Sequence, residues 1–78
     1  MDWHPYIELD PRILCGKPAI RGTRISVELI LEAMAAGSTV EDLLESYPHL
    51  KEEQVRAALG YAAQSLAVDE IHFVSETP

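Results

Sequence analysis

Residues 38–66 have the sequence STVEDLLESYPHLKEEQVRAALGYAAQSL, and this stretch decides the fold class. Ser38 lies three residues before Glu41, which is the capping-box spacing that opens a helix. Pro48 cannot continue a helix and ends this short element. Four apolar residues at helical spacing form its predicted buried stripe: Val40, Leu43, Leu44 and Tyr47.

A longer third helix is predicted after the proline, from about Glu52 to about Leu66. Glu52 and Glu53 lie at its start, where the helix dipole favours negative charge. Gly60 costs about 1 kcal/mol relative to alanine inside a helix, so it predicts close packing against a neighbour. The predicted apolar face consists of Val55, Ala58, Leu59, Ala62 and Leu66. The second and third helices, joined by a short turn, are typical of a helix-turn-helix.

The residues before this pair predict a first helix and a β-hairpin. Ser26 is placed as an N-cap and Gly37 as a left-handed stop. The apolar face between them is predicted to be Val27, Ile30, Leu31 and Met34. Residues 6–9 alternate in polarity and predict a short strand with Ile7 and Leu9 towards the core, paired with the glycine- and proline-rich residues 15–25.

The sequence therefore predicts a mainly α fold, a three-helix helix-turn-helix bundle with a short N-terminal β-hairpin. Residues 1–66 are assigned to this helix-turn-helix domain. Residues 67–78 are assigned to a C-terminal tail that is too apolar for a solvated segment, because it contains Val68, Ile71, Phe73 and Val74. This tail is predicted to be either the frayed end of the third helix or an anchor that docks on a partner.

Charge is distributed unevenly over the 78 residues, whose net charge is −7. Residues 1–24 hold four cations and three carboxylates, which gives +1. The remaining residues hold two cations and ten carboxylates, which gives −8. Because an acidic body repels a phosphate backbone over about 8 Å at physiological salt, general affinity for nucleic acid should be poor.

Catalytic and metal-binding patterns are not found in the sequence. His4, His49 and His72 lack the spacing of a metal-binding helix, and Cys15 has no evident base. We expect no enzymatic activity, no metal and no cofactor. The single cysteine and the absence of a signal-peptide pattern or a membrane-spanning stretch lead us to expect a cytoplasmic protein.

The loop from Gly16 to Ile25 holds the most specific pattern in the chain. Its two glycines and its proline fix the backbone path, and Gly22 is predicted at positive φ. One interpretation is structural, with Arg24 paired to Asp10 or to a helix carboxylate. The other makes three residues a cationic patch for a phosphate or a carboxylate cluster: Lys17, Arg21 and Arg24.

Residues 6–66 together resemble the bacterial domain-of-unknown-function 433 family. The motifs that carry the resemblance are Asp10-Pro11, Gly16-Lys17-Pro18, Ile20, Gly22-Thr23-Arg24-Ile25, Ile30-Leu31, Gly37-Ser38, Tyr47-Pro48, Leu50, Val55, Ala58-Leu59 and Tyr61-Ala62. The resemblance implies a homeodomain-like helix-turn-helix and the role of a VapB-type antitoxin encoded beside a PIN-like ribonuclease toxin. The chain departs from the family at Lys51, where a threonine usually caps the third helix, so the capping box with Gln54 is predicted to be lost.

Three functional hypotheses follow from these observations. In the first, an antitoxin-like protein neutralises a PIN-type ribonuclease and also binds its own operator DNA, and its partner-binding residues are Lys17, Arg21, Arg24, Ile71 and Phe73. The second is a stand-alone DNA-binding regulator that uses Lys51, Gln54, Arg56 and Gln64, although Glu52 and Glu53 occupy the turn that would read bases. The third is a protein interaction module without DNA binding.

A homodimer is also expected. The core predicted for so short a chain leaves Trp3, Tyr6, Ile71 and Phe73 without obvious partners inside one molecule.

Overall fold

Three helices and a two-stranded hairpin make up the computed structural model. The strands are β1 (Ile7–Glu8) and β2 (Ala19–Ile20), and the helices are α1 (Val27–Ala35), α2 (Val40–Ser46) and α3 (Glu52–Glu76). A short 3₁₀ turn at Leu14–Gly16 lies between the strands. The structure describes the backbone of residues 1–76 and the side chains of residues 1–67. The predicted mainly α fold with an N-terminal hairpin is confirmed.

The core lies where α1 and the hairpin meet the first half of α3. Ile20, Ile30 and Val55 are the largest fully buried side chains, and each comes from a different element. The other buried apolar residues are Ile7, Ala19, Val27, Leu43, Leu50, Ala57 and Ala58. Within residues 1–76, no helix is long and apolar enough to cross a membrane.

The hairpin pairs the strands in antiparallel register, with Ile7 opposite Ile20 and Glu8 opposite Ala19. This confirms the predicted pairing of residues 15–25 with the first strand. The prediction for Leu9 was wrong, because its side chain is 55% exposed. Alternation holds only while a strand continues, and here β1 ends at Glu8, before a turn in which the Ile13 amide donates to the Asp10 carbonyl.

Both ends of α1 follow the sequence prediction. The Ser26 hydroxyl accepts a hydrogen bond from the Leu29 amide at 2.9 Å, and Gly37 has φ +109°. The Gly37 amide donates to the Met34 carbonyl and the Ser38 amide to the Ala33 carbonyl, each at 3.0 Å. These two bonds form a Schellman motif, which satisfies the last carbonyls of the helix.

The capping box of α2 lies one residue later than predicted. Thr39 and Asp42 form it, in place of Ser38 and Glu41. The reason is that the Ser38 amide donates to the Ala33 carbonyl in the motif that ends α1. Thr39 is therefore the first residue that is available to cap the next helix. The Thr39 amide donates to Asp42 Oδ2 at 2.9 Å, and the Asp42 amide donates to Thr39 Oγ1 at 3.1 Å.

Helix α3 keeps half of the capping box that was predicted to be lost. The Lys51 amide donates to Gln54 Oε1 at 2.8 Å, although Lys51 itself offers no acceptor for the helix. The helix continues to Glu76, ten residues beyond the predicted end at Leu66 and across the predicted domain boundary. Residues 61–76 contain no glycine or proline, so no residue there stops the helix.

Two expectations for the packing of α3 were wrong. Leu59 and Leu66 are 38% and 61% exposed. Leu66 is exposed because the 9-residue α1 and the 7-residue α2 are too short to cover a helix of 25 residues. Gly60 is not required by a close contact. A Cβ atom added there would lie 4.0 Å from Trp3 Cδ1, which is ordinary van der Waals distance.

Candidate functional site

A tightly bonded turn separates β2 from α1. The Ile20 amide donates to the Ile25 carbonyl at 2.8 Å, and the Thr23 amide donates to the Ile20 carbonyl at 3.0 Å. The Thr23 hydroxyl donates to the Ile20 carbonyl and accepts from the Ile25 amide. Gly22 has φ +81°, as predicted. The turn therefore holds the residues around it in one fixed arrangement.

Arg21 uses its guanidinium group to hold the N-terminal segment. Its Nε donates to the Pro5 carbonyl at 3.1 Å, and its Nη2 donates to the Ile7 carbonyl at 3.0 Å and to the His4 carbonyl at 3.3 Å. A carboxylate oxygen of Glu8 lies 3.5 Å from Nη1. These contacts give Arg21 a structural role, and its predicted role in binding a partner stays a prediction.

Two further cations of the N-terminal region form local ion pairs. Lys17 Nζ lies 2.9 Å from Glu28 Oε1, and this hydrogen bond raises the pKa of Lys17. Arg12 forms two side-chain hydrogen bonds with Asp10, which lower the pKa of that carboxyl group. Asp10 is therefore occupied by Arg12, and the structural interpretation in which it pairs with Arg24 was wrong.

Arg24 is exposed at the end of the turn, next to the start of α1. Within residues 1–67, its side chain has no hydrogen bond and no carboxylate within ion-pair distance. It borders a shallow depression that mixes polar and apolar side chains, formed by Leu14, Cys15, Lys17, Arg24, Ser26 and Leu29. We call this surface the Arg24 patch. Two residues of the predicted cationic patch, Lys17 and Arg24, line this depression.

Ile71 and Phe73, the predicted anchors of the tail, lie outside the residues whose side chains the structure describes. Their role in partner binding stays a prediction. Leu14 and Leu29 were not identified from the sequence, although both contribute apolar surface beside Arg24. Leu29 is 37% exposed. The helical spacing could have indicated this surface, because Leu29 lies on the side of α1 opposite its apolar stripe. A helix face that is exposed to solvent usually carries polar residues there.

The candidate DNA-binding residues of α3 are largely engaged within the molecule. Arg56 forms an ion pair with Glu52 one turn earlier. The Gln54 side chain accepts from the Lys51 amide, and Gln64 accepts from the indole of Trp3. Lys51 is exposed, and within the described residues its ammonium group forms no ion pair. The exposed carboxylates of Glu52 and Glu53 directly follow Lys51 in the sequence.

The aromatic residues near the N-terminus have intramolecular partners. Trp3 stacks on His4 at 3.9 Å between ring centroids and meets Tyr61 edge to face at 4.7 Å. Tyr6 packs against the core. The prediction that Trp3 and Tyr6 lack partners within the molecule was wrong. One reason for expecting a homodimer is thereby removed.

Metal-binding and titratable groups form no further site in the part of the chain whose side chains are described. No cluster of three histidine, cysteine or acidic residues is present there. A hydrogen bond with the His4 side chain lowers the pKa of Asp2, and both side chains are exposed.

These elements define a class of small, mainly α proteins with an N-terminal hairpin. The turn that follows the hairpin is held by hydrogen bonds and contains arginine. Residues 7–62 match the family described as "Protein of unknown function (DUF433)", and the chain belongs to this family. The matched residues include β1, the turn, α1, α2 and the first part of α3.

Two relatives extend this assignment. A crystal structure of a DUF433 member protein from Anabaena variabilis ATCC 29413 is similar, with a TM-score of 0.76 and 29% identity, and the match covers 88% of this chain and 68% of that chain. An uncharacterized protein, y4eO, from Sinorhizobium fredii (strain NBRC 101917 / NGR234) is 46% identical over 52 residues. That match covers 67% of this chain and 24% of the relative, so the chain spans about a quarter of that relative's length.

Proposed function

We propose that the chain is an antitoxin-like protein that binds and silences a PIN-type ribonuclease through the Arg24 patch. The observation that carries this proposal is the exposed guanidinium of Arg24, which has no partner within residues 1–67 although hydrogen bonds of Ile20, Thr23 and Ile25 fix the turn around it. Arginine is charged at any physiological pH and offers five donors in a planar fork that matches carboxylate oxygens. Its preferred target is therefore a carboxylate or a phosphate group on another molecule.

The resemblance to VapB-type antitoxins supplies a target of this chemistry. It implies a ribonuclease whose active site is a cluster of acidic residues that hold a metal ion. A guanidinium group placed in such a cluster would form charge-assisted hydrogen bonds with those carboxylates and compete with the metal. Because the turn is already ordered, little backbone entropy is lost when Arg24 binds, and the entropy cost is mainly that of the arginine side chain.

The apolar residues of the patch support a protein partner. Leu14 and Leu29 lie beside Arg24, and an apolar surface next to an arginine anchor is typical of the centre of a protein interface. Lys17 adds positive charge at the edge, although Glu28 neutralises most of it. The patch thus combines one free cation with apolar surface that a partner can cover.

Operator binding is the less supported function. The first turn of α3 presents Glu52 and Glu53, and the nearest arginine, Arg56, is paired with Glu52. Carboxylates at this position repel the phosphates that flank a groove. The geometry therefore favours a protein partner over DNA, and a homodimer on an operator stays a prediction of the sequence.

Co-expression of the full chain with the product of the adjacent open reading frame tests the proposal. We expect a stable complex and inhibition of that product's ribonuclease activity. Arg24→Ala should weaken the complex by about 2 kcal/mol, which is roughly 30-fold in affinity. Arg24→Lys should restore only part of the loss, because an ammonium group lacks the planar fork. Arg12→Ala is the matched control, since it removes an exposed arginine that is paired locally with Asp10.

Three results would count against the proposal. The adjacent product could fail to bind, or Arg24→Ala could bind it as the unmodified chain does. Alternatively, the chain could bind labelled upstream DNA, with binding lost in Arg56→Ala and kept in Arg24→Ala. That pattern would assign the protein to the class of stand-alone DNA-binding regulators.

A further inference from the structure

A second surface of the molecule is a groove between the start of α1 and the middle of α3. Its walls are mainly apolar and consist of Pro18, Val27, Leu31, Tyr61, Ala62 and Leu66. Lys17, Glu28 and Glu32 lie along its α1 side. The groove lies beside the Arg24 patch and shares only Lys17 with it.

The exposed side chain of Leu66 leaves apolar surface of this groove open to solvent. Its side chain is 61% exposed, at the point where α3 extends past the shorter helices. Tyr61 and Leu31 are half-buried on the opposite sides of the groove. Apolar side chains that gather in one depression at the surface mark interaction sites, whereas a single exposed leucine needs no explanation.

The described charges around the groove lie on its α1 side and are acidic in sum. Glu28 is paired with Lys17, and Glu32 is exposed without an ion pair within residues 1–67. On the α3 side, the sequence has no charged residue between Arg56 and Asp69. An apolar strip with an acidic border selects a ligand with the opposite pattern.

We infer that this groove binds an amphipathic helix of another protein, with apolar residues on one face and lysine or arginine on the flank that faces α1. Residues 61–66 extend for about 9 Å along α3, which is enough for about two turns of a bound helix. A second copy of the chain is disfavoured as the occupant, because each copy carries a net charge of −7 and would bring further carboxylates to this border. The inference does not depend on the ribonuclease proposal, which uses a different surface.

A peptide library displayed on phage tests this inference against the full chain. Each peptide would have about 15 residues, because shorter isolated helices are marginal in water. Leucines at helical spacing would be fixed, and the flanking positions would vary among lysine, glutamine and glutamate. We expect lysine-flanked peptides to be enriched at about 0.15 M salt, where distant surface charges are largely screened.

The single tryptophan provides the binding signal. Trp3 contacts Tyr61, which lines the groove, so a tryptophan-free peptide should change Trp3 fluorescence when it binds. Leu66→Gln should weaken binding by roughly tenfold. Glu32→Lys should shift the preference towards glutamate-flanked peptides. The matched controls are Leu9→Gln, another leucine more than half exposed, and Glu45→Lys on α2, neither of which lines the groove.

Circular dichroism should show that all four variants keep the fold, since each position is exposed. Enrichment of glutamine- or glutamate-flanked peptides would overturn the inference, as would unchanged binding by Leu66→Gln. A dimer in sedimentation equilibrium that Leu66→Gln dissociates would also overturn it, because the occupant would then be a second copy.

Discussion

Two glycines show how differently the turn before α1 and the helix α3 are built. Gly22 lies in the turn with φ +81°, and no atom lies within 4 Å of the position that a Cβ would take. Gly60 lies in α3 with helical backbone, and a Cβ there would meet Trp3 Cδ1 at 4.0 Å. The turn therefore needs glycine for its backbone although it has space, whereas α3 has no such need.

The same contrast applies to the arginines of the turn. Arg21 and Arg24 are three residues apart and both exposed, yet one binds three backbone carbonyls and the other binds nothing within residues 1–67. Position along the sequence does not separate them. The difference arises because the N-terminal segment crosses the turn on the Arg21 side only. Structure in the turn depends on specific polar contacts, and structure in α3 depends on helix propensity and burial.

Gly22→Val should give the largest effect of three substitutions that test this comparison. The left-handed conformation costs an L-residue about 1 to 2 kcal/mol, and a β-branched residue is a clear outlier there, so we expect a loss of about 2 kcal/mol or more in the free energy of unfolding. Urea denaturation measures it. If the variant were as stable as the unmodified chain, the assignment of positive φ at this position would be wrong.

Arg21→Ala should have the next largest effect. Its removal takes the donors away from the carbonyls of His4, Pro5 and Ile7, but water replaces part of the interaction because the side chain is about half exposed. We expect a loss of about 1 to 2 kcal/mol in the free energy of unfolding. Arg24→Ala is the matched control and should leave stability within about 0.5 kcal/mol. Equal losses in the two variants would mean that Arg24 also has a structural partner.

Gly60→Ala should have the smallest effect and the opposite sign. Alanine is favoured over glycine inside a helix by about 0.5 to 1 kcal/mol, and the added methyl group would contact Trp3 without a clash. We therefore expect a higher midpoint in urea and a slightly altered Trp3 fluorescence spectrum. A loss of stability would show that Trp3 packs more closely on α3 than its 4.0 Å contact distance indicates.

The elements that the sequence predicted well carry local signals of their own. Ser26 caps α1 and Gly37 ends it because each residue type satisfies the backbone at that position by itself. The helix-turn-helix connectivity follows from Pro48 and from the apolar spacing on either side of it. The pairing of the two strands was predictable because the glycine-rich loop returns the chain to the first strand.

The elements that the sequence missed depend on neighbours that a linear pattern does not show. Thr39 replaces Ser38 as the cap of α2 because the closure of α1 already uses the Ser38 amide. Leu66 was placed in the core by periodicity, but periodicity does not show how far a neighbouring helix extends. For the candidate site, the sequence located the cationic loop, whereas the different states of Arg21 and Arg24 depend on where residues 4–7 cross the turn.

The bond between Trp3 and Gln64 also bears on when the protein finishes folding. It joins residues 61 positions apart, so nearly the whole chain must be present before it can form. Helices can form early from local contacts, whereas closing a long loop costs entropy that only the finished contact offsets. During synthesis Trp3 leaves the ribosome long before its partners on α3 exist. Docking of Trp3 on α3 is thus a late step, although Trp3 is made early.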